Sequence, residues 1–252
     1  MTAASFPSEA TEIVENALLG GRVRLRQPLK GYRAGMDAAL LAASISVQPG
    51  QRVLEAGCGA GAVLMQIAAR WPGGRLTGLE RDSAMAALAR ENATLNGAEA
   101  TILEGDVAAG FRTLELEPFD WGISNPPFFD DPGALRAPSP GKRGAWMADD
   151  GLAAWTGFLL KAVREGGRIV MIHRADRLAD LLALLGEKAG SFAVRGIHPY
   201  SDEPAKRVLV SAVKTGKAPL RLLPPLILHD RTGAKHTPKA EAILRGEASL
   251  DD

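Results

Sequence analysis

The sequence predicts an α/β fold: a doubly wound, mostly parallel sheet of seven strands with one antiparallel strand, a short N-terminal extension and a C-terminal tail. Along the central part of the chain, the hydrophobic period switches repeatedly between two and 3.6 residues, which is typical of strands that alternate with helices. A glycine-rich turn ends the first long strand. The last two core strands follow each other without room for a helix, so they are expected to pair as an antiparallel hairpin.

The N-terminal segment is predicted to contain a helix over residues 8–19 and a strand over 22–26, where basic and apolar residues alternate. Asp37 is interpreted as the N-cap of a helix that carries the apolar run 38–45. Residues 129–149 are rich in proline, glycine and charge and are expected to form a long loop. The other predicted elements are strands at 52–55, 75–79, 101–103, 121–124, 167–172, 192–197 and 207–213, helices at 62–70, 82–95, 152–163 and 178–189, and a tail with apolar stretches at 220–223 and 226–228 before a helix near 239–244.

The composition narrows the classes of function. Cys58 is the only cysteine, which excludes an internal disulfide and a cysteine-based zinc site. The four histidines are scattered without metal-ligand spacing, so no metal is expected. The first residues lack the pattern of a secretory signal, and no apolar run is long enough to span a bilayer. We therefore expect a cytoplasmic protein with no membrane partner.

The segment Glu55-Ala56-Gly57-Cys58-Gly59-Ala60-Gly61 ends the first long strand. Glycines let a backbone approach a ligand closely, and amides at the start of the following helix favour a carboxylate or a phosphate. A dinucleotide-binding turn is an alternative, but its third glycine would stand one residue later. An ordinary strand-to-helix turn is the simplest alternative.

Two acidic residues follow the next two strands. Glu80 comes after 75–79, where a carboxylate can hold both hydroxyls of a ribose. Asp106 comes after 101–103, where it can accept a hydrogen bond from an adenine amino group. Either acid alone is common on a protein surface. Together, and in this order after the glycine turn, the two acids are a more specific signal than either alone. They favour a nucleoside ligand at this edge of the sheet, because ligands bind beyond the carboxyl ends of parallel strands.

The residues Asn125-Pro126-Pro127-Phe128 end the fourth core strand. The two prolines remove two backbone donors and stiffen the chain, which leaves the Asn125 side-chain oxygen and the Pro126 carbonyl as acceptors. A planar amino group can donate both hydrogens there, and Phe128 offers a ring for stacking. This arrangement predicts chemistry on an exocyclic amino nitrogen, and a proline-terminated strand without function is the alternative.

At this point the sequence resembles the class I (Rossmann-like) methyltransferases, and within them the Asn-Pro-Pro-Phe amino-methyltransferases. It is most similar to the bacterial family that methylates N6 of the adenine just 3′ of the anticodon in a valine tRNA. The resemblance covers nearly the whole chain and rests on the segments 18–22, 27–28, 31–38, the glycine turn, 125–128, 138–140 and 222–226.

The resemblance implies that S-adenosylmethionine is the cofactor. It places Gly57 and Gly59 on the methionine part, Glu80 on the ribose, and Asp106 with Val107 near the adenine of the cofactor. Asn125 contacts cofactor and target base, Phe128 holds that base, and Asp37 approaches the cofactor amino group. Glu55, where the family more commonly has aspartate, completes the predicted cofactor site.

The resemblance further implies one domain over residues 1–252: a capping segment over 1–48, a Rossmann-like core over 49–215 and a C-terminal extension over 216–252. The expected partner is tRNA, bound by a monomer. Residues 191–240 contain nine arginines and lysines but three acids, and the strand over 22–26 is also basic. Together with Lys142, Arg143 and Trp146 in the loop 129–149, these runs favour a polyanion.

Two alternatives remain open. The same acceptors would serve a methyltransferase that acts on a protein glutamine amide or on the N2 amino group of a guanine in ribosomal RNA. A non-catalytic RNA-binding module on the same fold is a different class of function. The intact glycine turn and Asn125 argue against this second alternative.

Overall fold

The computed structural model describes residues 12–30, 34–127 and 150–250. Its first element is an antiparallel hairpin of β1 (Ile13–Leu18) and β2 (Val23–Pro28), in which Ile13 pairs with Pro28 and Leu18 with Val23. The strand predicted at 22–26 is therefore confirmed. The helix predicted over 8–19 is wrong for residues 13–18, because pairing with β2 supplies the backbone hydrogen bonds that a helix would have made internally.

The main sheet has nine strands within the described residues, in the order β10-β8-β9-β7-β6-β3-β4-β5, and β11 also pairs with β8. Strand β9 is antiparallel to both of its neighbours, as predicted, and every other pairing is parallel. The two strands beyond the predicted seven come from the tail. The strands are β3 (Arg52–Ala56), β4 (Arg75–Glu80), β5 (Ala100–Glu104), β6 (Phe119–Ser124), β7 (Val163–Arg174), β8 (Ala189–His198), β9 (Arg207–Lys214), β10 (Arg221–Leu222) and β11 (Leu226–Ile227).

Helices cover both faces of the sheet, as a doubly wound fold requires. They are α1 (Met36–Ala43), α2 (Ala62–Arg70), α3 (Ser83–Leu95), α4 (Asp150–Ala162), α5 (Leu178–Gly186) and α6 (Pro238–Arg245). Side chains of α1, α2, α3 and α6 share one buried apolar cluster with the sheet, and those of α4 and α5 share another. Across the described ranges, we find no helix with both the length and the apolar character needed to span a membrane.

An aspartate lies at the start of two helices, and Asp37 is the one predicted to be an N-cap. Asp82 precedes α3, and its carboxylate accepts hydrogen bonds from the amides of Ala84 and Met85 at 2.9 and 3.1 Å, as an N-cap does. Asp37 is not an N-cap, because α1 begins at Met36 after Gly35. Asp37 lies in the first turn, where a negative charge also suits the helix dipole.

Two asparagines of α3 bind the hairpin to the core. Asn92 accepts from the Arg26 amide at 2.8 Å and donates to the Arg26 carbonyl at 2.8 Å, while Asn96 does the same for Arg24 at 2.9 and 2.7 Å. The spacing matches, since four helical residues rise about 6 Å and two strand residues about 6.8 Å. Asn92, fully buried, also donates to the Ala60 carbonyl at 2.9 Å. It therefore joins the hairpin to the glycine turn.

The C-terminal tail is an integral part of the sheet. Arg195 of β8 is buried and donates to the carbonyls of Pro224 at 2.7 Å and Leu250 at 2.6 Å. The Leu250 amide in turn donates to the Ala43 carbonyl at the end of α1. The tail thereby crosses from the edge of the sheet to the N-terminal part of the chain.

Asn92→Ala should lower the free energy of unfolding by about 2–4 kcal/mol, because it leaves the two Arg26 backbone groups and the Ala60 carbonyl without this partner. Asn96→Ala, which affects an exposed pair, should cost about 1 kcal/mol or less. Urea unfolding of both variants checks the difference. Equal losses would contradict a special role for Asn92.

Candidate functional site

A cleft opens at the carboxyl ends of β3 and β6, beside the hairpin and α1. The side chains that line it among the described residues include one acid, Glu55, and no base. Most of the others are small, so the backbone of the glycine turn forms much of one wall. The lining residues are Gln27, Ala34, Ala38, Glu55, Gly57, Cys58, Gly59, Ala60, Ala62, Val63, Met85 and Asn125.

The glycine turn is held against the end of β4. The amides of Gly57 and Cys58 both donate to the Leu79 carbonyl, at 2.8 and 3.0 Å. The Gly59 amide donates to Oε2 of Glu80 at 2.9 Å. Gly57 and Gly59 both have positive φ, at 71° and 52°, a conformation that favours glycine.

Glu80 is positioned by two backbone donors. One carboxylate oxygen accepts from Gly59, and the other accepts from the Asp82 amide at 2.9 Å. The residue is half-buried at the end of β4. Its carboxylate thus lies against the glycine turn, and its remaining lone pairs are available for a hydroxyl-bearing ligand.

Glu55 is the most unusual acid of the site. Only 2% of the residue is exposed, and its Oε2 atom has no hydrogen-bond partner. Burial, reinforced by the nearby Glu80 carboxylate, raises the pKa of Glu55 well above its ordinary value. A buried carboxyl oxygen that has no hydrogen-bond partner lowers stability unless a ligand satisfies it.

The segment that ends β6 reaches the same cleft. The buried Ser124 hydroxyl donates to the Ala56 carbonyl at 2.9 Å and fastens this strand end to β3. Asn125 follows and lines the cleft, while Pro126 is buried and Pro127 half-buried. Phe128 lies outside the described residues, as do residues 129–149.

The other predicted cofactor residues lie apart from this lining. Asp106 follows β5, and its side chain accepts from the Ala108 amide at 2.9 Å, which caps the short helical turn that Val107 begins. Asp37 is paired with Arg207 of β9, with Oδ2 3.0 Å from the Arg207 Nε. The structure therefore brings together Glu55, Gly57, Gly59 and Asn125 in the cleft, with Glu80 bonded to Gly59.

Among the residues at the site that were not predicted, Gln27 and Trp155 make the most specific contacts. Gln27, at the end of the hairpin, is buried, lines the cleft, donates to Asn16 at 2.8 Å and accepts from the Ala34 amide at 2.9 Å. Trp155 of α4 lies against Gly57. Neither contact has a local signal, because each joins segments that are remote in sequence or depends on a helix packing across the sheet.

Many of the basic residues that suggested RNA binding have partners within the protein. Arg24 and Arg26 of β2 both reach Glu15, at 2.7 and 3.3 Å. In the tail, Arg231 pairs with Asp202 and Glu203, each at 3.1 Å. Such pairs reduce the number of cations available to a phosphate backbone.

Comparisons with known proteins agree with this architecture. The methyltransferase small domain family matches residues 33–136. A crystal structure described as a predicted O-methyltransferase of Agrobacterium tumefaciens is 30% identical, has a TM-score of 0.71 and covers 85% of this chain and 98% of its own.

Among curated relatives, the tRNA1(Val) (adenine(37)-N6)-methyltransferase of Dickeya chrysanthemi is 27% identical over 198 residues, which cover 76% of this chain and 76% of the relative. A release factor glutamine methyltransferase of Chlorobaculum tepidum is 28% identical over 58% of this chain and 53% of its own. The chain is thus similar to methyltransferases with different substrates.

At pH values above the ordinary pKa of a glutamate, Glu55→Gln should stabilise the protein. The raised pKa keeps a proton on Glu55 in the folded state after the unfolded state has lost it, so wild-type stability falls as pH rises through this interval. Removal of the charge should gain about 1–3 kcal/mol at pH 8, and the gain should vanish at pH 4. Denaturant unfolding at several pH values measures it, and a pH-independent difference would refute the argument.

Proposed function

We propose that this chain, which belongs to the class I S-adenosylmethionine-dependent methyltransferases, methylates the N6 amino group of an adenine in tRNA. The target is the base on the 3′ side of the anticodon in a valine tRNA. One observation carries the proposal: Asn125, at the end of β6, lines the same cleft as Glu55 and the glycine turn.

The residues of the cleft fit the cofactor. S-adenosylmethionine carries a sulfonium and an ammonium, and its methyl group is activated for transfer without a further catalyst. Glu55 offers a buried oxygen without a partner, and none of the described residues that line the cleft has a basic side chain. Gly59 has open space where a side chain would stand. Glu55, Gly57 and Gly59 would hold the methionine part, Glu80 the ribose, and Asp106 with Val107 the adenine.

Asn125 and Pro126 would hold the amino group to be methylated. The Asn125 side-chain oxygen and the Pro126 carbonyl can accept both amino hydrogens, which draws the nitrogen lone pair out of conjugation and directs it into the cleft. Pro126 and Pro127 keep these acceptors in place, since neither can rotate about its N–Cα bond. Phe128 would stack on the base. Such a site acts by positioning, so it requires no strong general base.

The resemblance placed Asp37 at the cofactor amino group, but its contacts favour a structural role. The Arg207 guanidinium already binds its carboxylate, and the pair links α1 to β9 at the ligand edge of the sheet. To bind the cofactor amino group as well, the Asp37 carboxylate would have to contact both the Arg207 guanidinium and the cofactor ammonium. Its main part would then be to hold α1, whose residue Ala38 lines the cleft.

The choice of tRNA rests on the similarity to the tRNA1(Val) enzyme, which extends over 76% of this chain. An adenine in an anticodon loop has no Watson–Crick partner, so its extrusion into the cleft costs less than in a duplex. The similarity to a release factor glutamine methyltransferase supports a second candidate, a protein glutamine amide. Both substrates present a planar amino group to the same two acceptors.

Incubation with methyl-labelled cofactor and either total RNA or total protein separates these candidates. We expect label in tRNA and, after digestion, N6-methyladenosine. RNA binding should weaken steeply with salt, because each phosphate contact releases counterions. Label in a release factor would support the glutamine alternative, and no label in either pool would overturn the proposed activity.

Two substitutions separate cofactor binding from methyl transfer. Asn125→Ala should reduce methyl transfer by about 100-fold or more, since it removes an interaction that aligns the reacting nitrogen, while S-adenosylmethionine still binds. Glu80→Ala should instead weaken cofactor binding by about tenfold or more. Calorimetric titration and a methyl-transfer assay measure the two effects. Normal turnover by Asn125→Ala would refute the role of Asn125.

A further inference from the structure

Trp155 lies beneath the glycine turn and is held there by its helix. Helix α4 packs on β6, and its Phe158, three residues further on, makes an edge-to-face contact with Phe111 at 5.9 Å between ring centroids. Phe111 in turn contacts Phe119 at 6.1 Å. Residues three apart share one face of a helix, so this aromatic cluster sets the position of the Trp155 indole.

The indole occupies the space that a side chain at Gly57 would need. A Cβ atom built on Gly57 would lie 2.7 Å from Cζ3 of Trp155 and closer still to Cη2. A Cβ atom built on Gly59 would meet nothing within 4 Å. Both glycines have positive φ, so the two positions differ in their surroundings and not in their backbone class.

The two glycines of one turn therefore have different reasons to lack a side chain. At Gly59 the open space belongs to the cleft, and a ligand can approach the backbone there. At Gly57 the space is filled by a tryptophan of the same protein. The amides of the turn bond to Leu79 and Glu80, and Trp155 adds a packing contact at Gly57 that these bonds do not supply.

We propose that Trp155 is a positioning residue for the cofactor: its indole, packed on Gly57, holds the glycine turn in the conformation that binds S-adenosylmethionine. The proposal rests on the proposed cofactor site but not on the identity of the methyl acceptor. Trp155 acts through the turn, without a contact to the reacting atoms.

Cofactor binding to single variants gives the first test. Trp155→Ala should raise the Kd for S-adenosylmethionine by about tenfold, since the loss of the aromatic contact at Gly57 frees the turn. Trp155→Phe keeps an aromatic ring on Gly57 and should bind within about threefold of wild type. Trp71→Phe is the matched control for a tryptophan elsewhere. Calorimetric titration without RNA, on variants whose circular dichroism is native, measures each Kd.

Double variants give the sharper test. Gly57→Ala should impair binding because its methyl group collides with the indole, and Trp155→Ala should relieve that collision. The factor by which the double variant raises the Kd should therefore be smaller, by about fivefold or more, than the product of the factors of the two single variants. Gly59→Ala carries the same type of backbone strain without the collision, so its loss should multiply with that of Trp155→Ala to within about twofold.

The melting temperatures of the same variants give a readout that needs no cofactor. The melting temperature of the double variant Gly57→Ala, Trp155→Ala should fall by less than the sum of the decreases in the two single variants. For Gly59→Ala with Trp155→Ala, the decrease should equal the sum. Additive shifts at Gly57, or unchanged cofactor affinity in Trp155→Ala, would overturn the inference. A wild-type protein that binds no S-adenosylmethionine would instead overturn the proposed function, and the melting temperatures would still test the contact.

Discussion

One buried amide holds three separate parts of this protein together. The Asn92 side chain of α3 bonds both backbone groups of Arg26 in the hairpin and the carbonyl of Ala60 in the glycine turn. A two-stranded hairpin has little stability of its own. Strand β2 pairs with β1 on one edge, and the side chains of Asn92 and Asn96 bond its backbone as a second neighbouring strand would. Because Gln27 follows at once and lines the cleft, the wall contributed by the N-terminal segment depends on this anchor.

Glu55, which lines the cleft, and Glu80, which is bonded to the glycine turn, show how a structure can prepare a site for a cation. Glu80 is satisfied by the amides of Gly59 and Asp82 and is therefore ordered before any ligand arrives. Glu55 is buried with one oxygen unpartnered, which costs stability in the absence of a ligand. A local conflict of this kind is expected at functional sites, where stability is given up for binding.

Counts of charge along the chain overstate the basic surface. Arg195 serves the interior by bonding the carbonyls of Pro224 and Leu250, Arg207 binds Asp37, and Arg231 binds Asp202 and Glu203. The tail is likewise less an appendage than a component of the sheet, since β10 and β11 both pair with β8. These three arginines already have partners within the protein, so fewer cations are available to a phosphate backbone.

The sequence alone determined the alternation of strands and helices, the reversed strand β9, and the convergence of the glycine turn, Glu80 and Asn125, because carboxyl ends of parallel strands share one edge of a sheet. Only the tertiary structure decided that residues 13–18 form a strand, that Asp37 binds Arg207 and that Trp155 fills the space at Gly57. A hydrophobic period reports the face that a segment buries, but the partner on that face comes from remote parts of the chain and is chosen by packing.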